Sequence, residues 1–282
     1  MHRVLEYIDR RLDEELELDT LAKVANFSSF HFHRLFTAWI GETLGDFVRR
    51  RRMEVAALRL VAQPSLPVLQ VALSVGFGST EAFARAFKLR FGSTPTAWRK
   101  LQVSNRDQLK SKPDQAPALP SGNHGRMKVT IVDRHPTTVA YLRHVGPYGK
   151  PLSDFWMTRV APWMETNGLN GRPRYGISHD DPGITAPEKL RYDAAVEVPA
   201  NFAGAGDHQM TVIPGGKYSV GKFKGIDSQV GEAWAWLLRD WLPGSGMQLD
   251  SRPFFEHYPT DATYDRETGA FECEICIPVR PL

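Results

Sequence analysis

The feature that most constrains this chain is a change in residue pattern shortly after Lys100. Up to that point apolar residues recur at helical spacing, whereas the later part carries runs rich in Val, Ile, Tyr and Phe, which are typical of strands. Between them, 106–125 holds three prolines and many polar residues but no apolar period. We therefore expect two domains, 1–105 and 126–282, joined by a linker at 106–125.

Each half of the chain is internally duplicated. In the first half, Ala22…Phe27 matches Ala72…Phe77 at an offset of 50, and after one extra residue Arg34, Phe36 and Gly41 match Arg85, Phe87 and Gly92 at 51. In the second half, blocks beginning at His144 and Tyr192 match blocks beginning at Phe223 and Phe271, both at an offset of 79. We predict an all-α domain with two helix-turn-helix units, then an α+β domain of duplicated strand-strand-helix-strand-strand units with a mainly antiparallel sheet.

Charge is unevenly distributed between the two halves. Residues 1–106 carry 16 Lys and Arg against 11 Asp and Glu, whereas residues 126–282 carry 17 against 19. This asymmetry favours a polyanion-binding module in the first half, although chance alone can produce it. No apolar run is long enough for a membrane span or a signal peptide, so we expect a cytoplasmic, nucleoid-associated protein. Cys273 and Cys276 are interpreted as reduced packing residues.

Residues 19–39 have the pattern of a helix-turn-helix. The turn falls at Asn26-Phe27-Ser28, and Ser28 or Ser29 can cap the following helix. That helix is predicted to bury an apolar stripe of Phe32, Leu35, Phe36 and Trp39. Its outward residues are then the candidates for DNA contact in the major groove: Phe30, His33, Arg34 and Thr37.

The second unit repeats this pattern. Gly76-Phe77-Gly78 forms the turn, Ser79 caps the next helix, and Phe83, Ala86 and Phe87 form the buried face. The outward residues, again candidates for DNA contact, are Thr80, Glu81, Arg85 and Lys88. Arg85 can pair with guanine, and Glu81 can accept from cytosine but would repel nearby phosphates.

Two other polar groups invite a functional interpretation. The run Arg49-Arg50-Arg51-Arg52 points all round a helix, so we expect some of these arginines to touch phosphate and others to keep the helix soluble. His31 and His33 diverge on a helix and have no further ligands beside them, so no metal site is expected. No cofactor motif is present either.

The residues of both units resemble the AraC-type regulators. The resemblance runs from about residue 3 to 102 and rests on Ser29–Phe36 and on the segment from Gly76 to Arg99. It implies that two recognition helices enter successive major grooves on one face of double-stranded promoter DNA. The outward residues named above fall where the family contacts DNA. Relatives often carry an amide at the positions of His33 and Glu81, which leaves the preferred base sequence open.

The second half shows no catalytic signature but is unusually aromatic. We expect most of its rings to form the core and a minority to line a pocket between the two repeats. Glu256, placed among bulky aromatics in a strand, is the candidate anchor, because a cationic ligand would neutralise it and the rings would add cation–π attraction. The alternative is that Glu256 faces solvent. The candidate lining residues are Tyr148, Trp156, Trp163, Tyr175, Phe255, Tyr258 and, as a second carboxylate, Glu274.

This half resembles the gyrase-inhibitor-like effector-binding domains. The resemblance rests on Val139–Tyr148, Pro214–Tyr218, Phe255–Tyr258 and Cys273–Val279. With the domain order of the Rob-type branch, it implies a transcriptional regulator, not an enzyme, with a small cationic or lipophilic effector. Its expected partners include RNA polymerase, and its expected state is a monomer or weak homodimer. The alternatives are a hydrolase or a drug-sequestering protein fused to a DNA-binding module.

Overall fold

The computed structural model describes residues 2–101, 127–265 and 267–282. The chain divides into two compact units, one containing residues 2–101 and the other containing residues from 127 onward. The predicted linker, 106–125, lies outside the described residues, so the domain boundaries stay predictions. No helix in the described ranges is long and apolar enough to cross a membrane.

The first unit is helical throughout its described length. Its helices are α1 (His2–Asp9), α2 (Leu18–Ala25), α3 (Ser29–Ile40), α4 (Leu44–Ala62), α5 (Val68–Leu73), α6 (Thr80–Phe91) and α7, described over residues 95–101. The two predicted recognition helices are present as α3 and α6. Helices α2 and α3 form the first helix-turn-helix, α5 and α6 form the second, and α4 connects them.

The two helix-turn-helix units repeat each other down to single hydrogen bonds. After α2, Asn26 adopts a left-handed conformation and the Phe27 amide donates to the Ala22 carbonyl at 2.9 Å. After α5, Gly76 is left-handed and the Phe77 amide donates to the Ala72 carbonyl at 3.0 Å. These are the bonds that end a helix in a Schellman turn.

The helix starts are repeated in the same way. Ser28 and Ser79 accept the backbone N–H three residues ahead and so cap α3 and α6. Thr43 and Thr94 do the same at the following helices, again 51 residues apart. Caps of this kind depend on residues within a few positions of each other, which explains why the sequence repeat predicts them.

The core of the first unit corrects one prediction about α3. Phe32 and Phe36 are fully buried and pack with Phe47 of α4, as expected. Leu35 and Trp39, predicted to belong to the same stripe, are 43% and 47% exposed. Leu35 is rotated to the edge of the buried face, and Trp39 lies in the last turn, where its ring meets the edge of a His2 ring at 4.9 Å.

The second unit is α+β, and its described elements form two similar series. The first series is β1 (Val129–Arg134), β2 (Thr137–Val145), α8 (Lys150–Phe155), a π-helical turn (Trp156–Val160), α9 (Ala161–Thr166), β3 (Arg174–Ser178), a 3-10 turn (Pro187–Lys189) and β4 (Arg191–Glu197). The second is β5 (Gln209–Ile213), β6 (Gly216–Gly225), α10 (Asp227–Trp236), a π-helical turn (Leu237–Trp241), a 3-10 turn (Leu242–Gly244), β7 (Met247–Leu249), β8 (Phe254–Tyr258) and β9 (Phe271–Pro281). Apart from the short β7, this is the predicted duplication.

The strands form one antiparallel sheet with the order β1-β6-β9-β8-β3-β4-β2-β5, and β7 pairs with β9. The counterparts in the two repeats are β1 and β5, β2 and β6, β3 and β8, and β4 and β9. Counterparts lie at equal distances from the middle of the sheet, so the sheet has an approximate two-fold axis between β3 and β8. The first strand of each repeat pairs within the other repeat: β1 with β6, and β5 with β2. This exchange ties the two repeats into one sheet.

Alternate residues of the strands point to opposite faces of the sheet. One face is covered by α8, α9 and the π-helical turn between them, which pack Val160, Trp163 and Met164 onto β2 and β4. The other face carries its own buried cluster, with Tyr141, Tyr218, Phe255 and Cys276 among its members. Cys273 and Cys276 are both free and buried, consistent with packing roles.

Candidate DNA interface and candidate effector site

The predicted DNA-contacting residues of α3 and α6 lie on their outward faces. His33 and Arg34 are exposed, as are Glu81, Arg85 and Lys88, whereas Thr37 and Thr80 are half-buried. The Thr37 hydroxyl donates to the His33 carbonyl at 3.1 Å, within the same helix. The side chain of Phe30 lies outside the described atoms. The two recognition helices therefore present a polar, mainly basic face at equivalent positions.

The arginine run on α4 has a structural role that the sequence did not reveal. Glu54 is 3% exposed and receives Arg50 at 3.1 Å and Arg51 at 2.9 Å. Arg50 also pairs with Glu42 in the loop before α4, and Arg51 pairs with Asp9 at the end of α1. These buried pairs hold α4 against the end of α1 and the loop that follows α3.

Arg52 lies between the segment that precedes α2 and the turn of the second helix-turn-helix. It donates to the Glu14 carbonyl at 2.7 Å, and a Cβ on Gly76 would lie 2.7 Å from its guanidinium. Glycine at position 76 is thus required both by its left-handed backbone and by this close approach. Arg49 is the arginine of the run whose side chain stays mostly exposed, beside Asp46. Arg49 is therefore the arginine of this run for which contact with a DNA phosphate remains the prediction.

The candidate effector site lies at the approximate two-fold axis of the sheet. There Gly176 of β3 is directly paired with Glu256 of β8, and the two occupy equivalent positions in the two repeats. The glycine leaves space on the face of the sheet that carries Glu256. The two repeats therefore differ at their shared centre, where one supplies a carboxylate and the other supplies room for its partners.

Glu256 is 7% exposed and accepts three hydrogen bonds. Tyr258 donates to Oε2 at 2.8 Å, Tyr192 donates to the same oxygen at 3.1 Å, and the Trp234 indole donates to Oε1 at 3.1 Å. All three donors are neutral. In the part of the chain that the structure describes, polar groups therefore hold the carboxylate in position, but no cation is bonded to it.

Burial changes the ionisation of this group. It raises the pKa of the Glu256 carboxyl above its usual value, and the three hydrogen bonds only partly oppose that shift. Burial, followed by the neighbouring carboxylate, also raises the pKa of the Tyr192 and Tyr258 hydroxyls well above the ordinary value. The phenols therefore stay protonated as donors, while a positive charge placed near Glu256 would favour its ionised form.

Aromatic rings from both repeats surround the carboxylate. Trp156, from the first helical layer, lies 6.3 Å from the Tyr258 ring, and Trp234 of α10 stacks on Phe254 at 6.1 Å. The Arg174 guanidinium lies over the Tyr258 ring, 5.6 Å from its centroid, so one of these rings already accepts a cation. The arrangement suits a ligand that combines positive charge with apolar surface.

The structure brings together only some of the predicted lining residues. Tyr148 is near Glu256 by way of Tyr192, with ring centroids 5.9 Å apart, and its hydroxyl donates to the Arg191 carbonyl at 2.9 Å. Trp163 belongs to the same buried cluster as Tyr192, but its indole donates to the Ala205 carbonyl at 3.1 Å. Burial and then the charge of Asp180 raise the pKa of Tyr148, so it too remains a donor.

Three predicted lining residues point to the opposite face of the sheet from Glu256. Phe255 is adjacent in the same strand and belongs to the buried cluster of that other face. Tyr175 stacks on His257 with centroids 5.0 Å apart. Glu274 is paired there with Arg134 at 2.9 Å and His257 at 2.8 Å. The prediction that they share a pocket with Glu256 is therefore wrong, because strand alternation separates them.

Tyr192, the partner from β4, was missed as a site residue, although it begins one of the duplicated blocks. Trp234 of α10 likewise carries no sequence signal that distinguishes it from the many other aromatic residues of this half. Both reach Glu256 from distant parts of the chain. The sequence signal that was available concerns β8 alone, where strand alternation places Phe254 and Tyr258 on the same face as Glu256.

Replacing Gly176 by alanine tests the packing at the centre of the site. A Cβ at this position would lie 1.7 Å from the Tyr192 hydroxyl and 2.9 Å from Glu256 Oε2. We expect the unfolding free energy of the second unit to fall by about 1–3 kcal/mol in a urea titration, because Tyr192 must move. Gly231→Ala is the matched control, since nothing lies within 4 Å of its added Cβ. Equal stability of both variants would contradict the packing described here.

Comparison with known proteins agrees with both halves of the chain. A model of the GyrI-like small molecule binding domain matches residues 127–280, and a helix-turn-helix domain model matches residues 21–101. The helix-turn-helix model covers the two helix-turn-helix units, and the GyrI-like model covers the duplicated sheet that holds Glu256.

Individual relatives resemble either the whole chain or one half. The transcriptional regulator Rob of Salmonella typhimurium is 37% identical over 98% of this chain and 96% of that protein. The regulatory protein SoxS of Escherichia coli K12 is 32% identical over 34% of this chain and 89% of SoxS, and a DNA gyrase inhibitor of Erwinia billingiae is 28% identical over 54% of this chain and 97% of the inhibitor. The chain therefore belongs to the AraC family of transcriptional regulators, with its helix-turn-helix DNA-binding domain followed by a GyrI-like small-molecule-binding domain.

Proposed function

We propose that this regulator recognises its promoter with the outward residues of α3 and α6 and responds to a small lipophilic cation held at Glu256. The proposed DNA contacts are Phe30, His33, Arg34, Thr37, Thr80, Glu81, Arg85 and Lys88. The observation that carries the effector proposal is the buried Glu256 carboxylate, with neutral hydrogen-bond partners and aromatic rings around it. Burying such a charge is costly, and a bound cation offsets that cost.

The same geometry favours binding over hydrolysis. Both oxygens of Glu256 are engaged: Oε1 by Trp234, and Oε2 by Tyr192 and Tyr258. Each carboxylate oxygen has two acceptor positions, so among the described contacts only one position, on Oε1, is left for a water that Glu256 would have to activate. We therefore propose a sensor that releases its ligand unchanged, and turnover of a bound compound would oppose this proposal.

The proposed partners follow from the regulatory role. Two helix-turn-helix units on one chain supply two major-groove contacts, so a monomer or a weak homodimer suffices. A promoter-bound regulator acts on transcription through RNA polymerase, and we propose that this chain does so in the cytoplasm, at the nucleoid.

The test uses the full chain, a promoter fragment selected by genomic footprinting, and two ligands of nearly identical shape. Benzyltrimethylammonium carries a positive charge, and neopentylbenzene is its neutral carbon analogue. We expect only the charged compound to bind in calorimetry and to alter operator affinity or transcription from the promoter. Equal binding of both ligands would contradict the cation site. Saturating cation with no effect on operator affinity or transcription would instead indicate a sequestering protein.

A further inference from the structure

A second carboxylate lies near Glu256, at the start of α10. Asp227 is the first residue of α10, the helix that carries Trp234, and its carboxylate accepts a hydrogen bond from the Ser153 hydroxyl of α8. Helix α8 leads directly into the turn that begins with Trp156. The Ser153–Asp227 bond therefore links the helical layers of the two repeats, on either side of the site.

Helix geometry places Asp227 on the same side of α10 as the site. Asp227 and Trp234 are seven residues apart, so they project from one face of the helix about 10 Å from each other along its axis. Trp234 contacts Glu256 directly. The charge of Asp227 also contributes to the raised pKa of Glu256, after burial.

Asp227 has a neutral partner, whereas a neighbouring acid does not. Asp154, also on α8, is paired with Lys150 at 3.0 Å, so its charge is largely compensated. Asp227 is exposed, and its described bond is to a serine hydroxyl, which leaves the negative charge uncompensated at that contact. A second positive group on a ligand can therefore interact with it.

We propose that Asp227 is a second anionic determinant of the effector site and favours elongated ligands with two positive groups over ligands with one. This inference rests on the proposed function, in which Glu256 holds the first cation. The aromatic rings of Trp156 and Trp234 then lie along the apolar spacer of the ligand. Because Asp227 is exposed and its attraction is screened by salt, its effect is on ligand selection more than on total affinity.

The experiment measures calorimetric affinities of the full chain for two ligand series of increasing chain length. One series is bis(trimethylammonium)alkanes, and the other is alkyltrimethylammonium ions of matched length. For the native chain we expect a preference for the dication of about threefold to tenfold at the best spacer length, decreasing as salt is added.

Asp227→Asn is expected to lower the ratio of dication to monocation affinity to about one, whatever its effect on the monocation alone. Ser153→Ala, which removes the hydrogen bond but keeps the charge, is expected to retain the preference, and Asp227→Glu is expected to keep it with a changed best length. An unchanged ratio in Asp227→Asn would overturn the inference, and so would an equal loss in Ser153→Ala. Glu256→Gln tests the proposed function separately: undiminished monocation affinity there contradicts the Glu256 site, while the Asp227 result is still judged by the ratio.

Discussion

Glu256→Gln is expected to weaken binding of benzyltrimethylammonium by about 2–3 kcal/mol, roughly 30- to 150-fold, because it removes the buried charge that faces the cation. The substitution keeps the shape of the side chain and an oxygen that can still accept from Tyr258 or Tyr192. Isothermal titration calorimetry on the full chain measures the change directly.

Glu274→Gln is the matched control for this prediction. Glu274 lies in the neighbouring strand but on the opposite face of the sheet, paired with Arg134 and His257. We expect it to leave cation affinity unchanged, although it should destabilise its own ion pairs. A comparable loss of affinity in both variants would show that the effect is a general disturbance of the sheet and not the loss of a ligand contact.

The raised pKa of Glu256 adds a pH dependence with a definite sign. Only the ionised carboxylate attracts the cation, so affinity should fall as the pH drops through the raised pKa, and Glu256→Gln should show no such fall. Stability should change in the opposite direction. A group whose pKa is raised by folding contributes stability below its unfolded pKa and loses it as pH rises through the folded value.

Arg34→Ala and Arg85→Ala are each expected to cost about 1–3 kcal/mol of specific operator affinity, provided that each arginine contacts guanine with both its nitrogens. They occupy equivalent exposed positions on α3 and α6, 51 residues apart. Fluorescence anisotropy with the selected operator and with unrelated DNA of the same length separates specific from non-specific binding.

The control for these variants is Arg3→Ala, which removes the same charge from an exposed position on α1. It should lower affinity for both DNA sequences slightly and equally, since it acts only through overall charge. If Arg34→Ala or Arg85→Ala also weakened both sequences equally, that arginine would be a phosphate contact and would not read a base.

The helix-turn-helix units were largely predictable because their determinants are local. The left-handed turns at Asn26 and Gly76 and the caps at Ser28 and Ser79 each involve residues within about five positions, so the repeated sequence was enough to place them. The exposure of Leu35 was not predictable in the same way. It depends on where α2 and α4 pack, which helical periodicity does not specify.

By itself, the sequence determined the fold class, the duplication in both halves and the family, and it singled out Glu256 as the proposed anchor. The tertiary structure decided which residues surround that anchor. Tyr192, Trp234 and Glu256 are far apart in the chain, and they meet only because the two repeats share one sheet with its centre at Gly176. It also decided that Phe255 and Glu274 face away, because neighbouring strand residues point to opposite sides. The first group of features depends on interactions between near neighbours in the chain, and the second on strand pairing between distant ones.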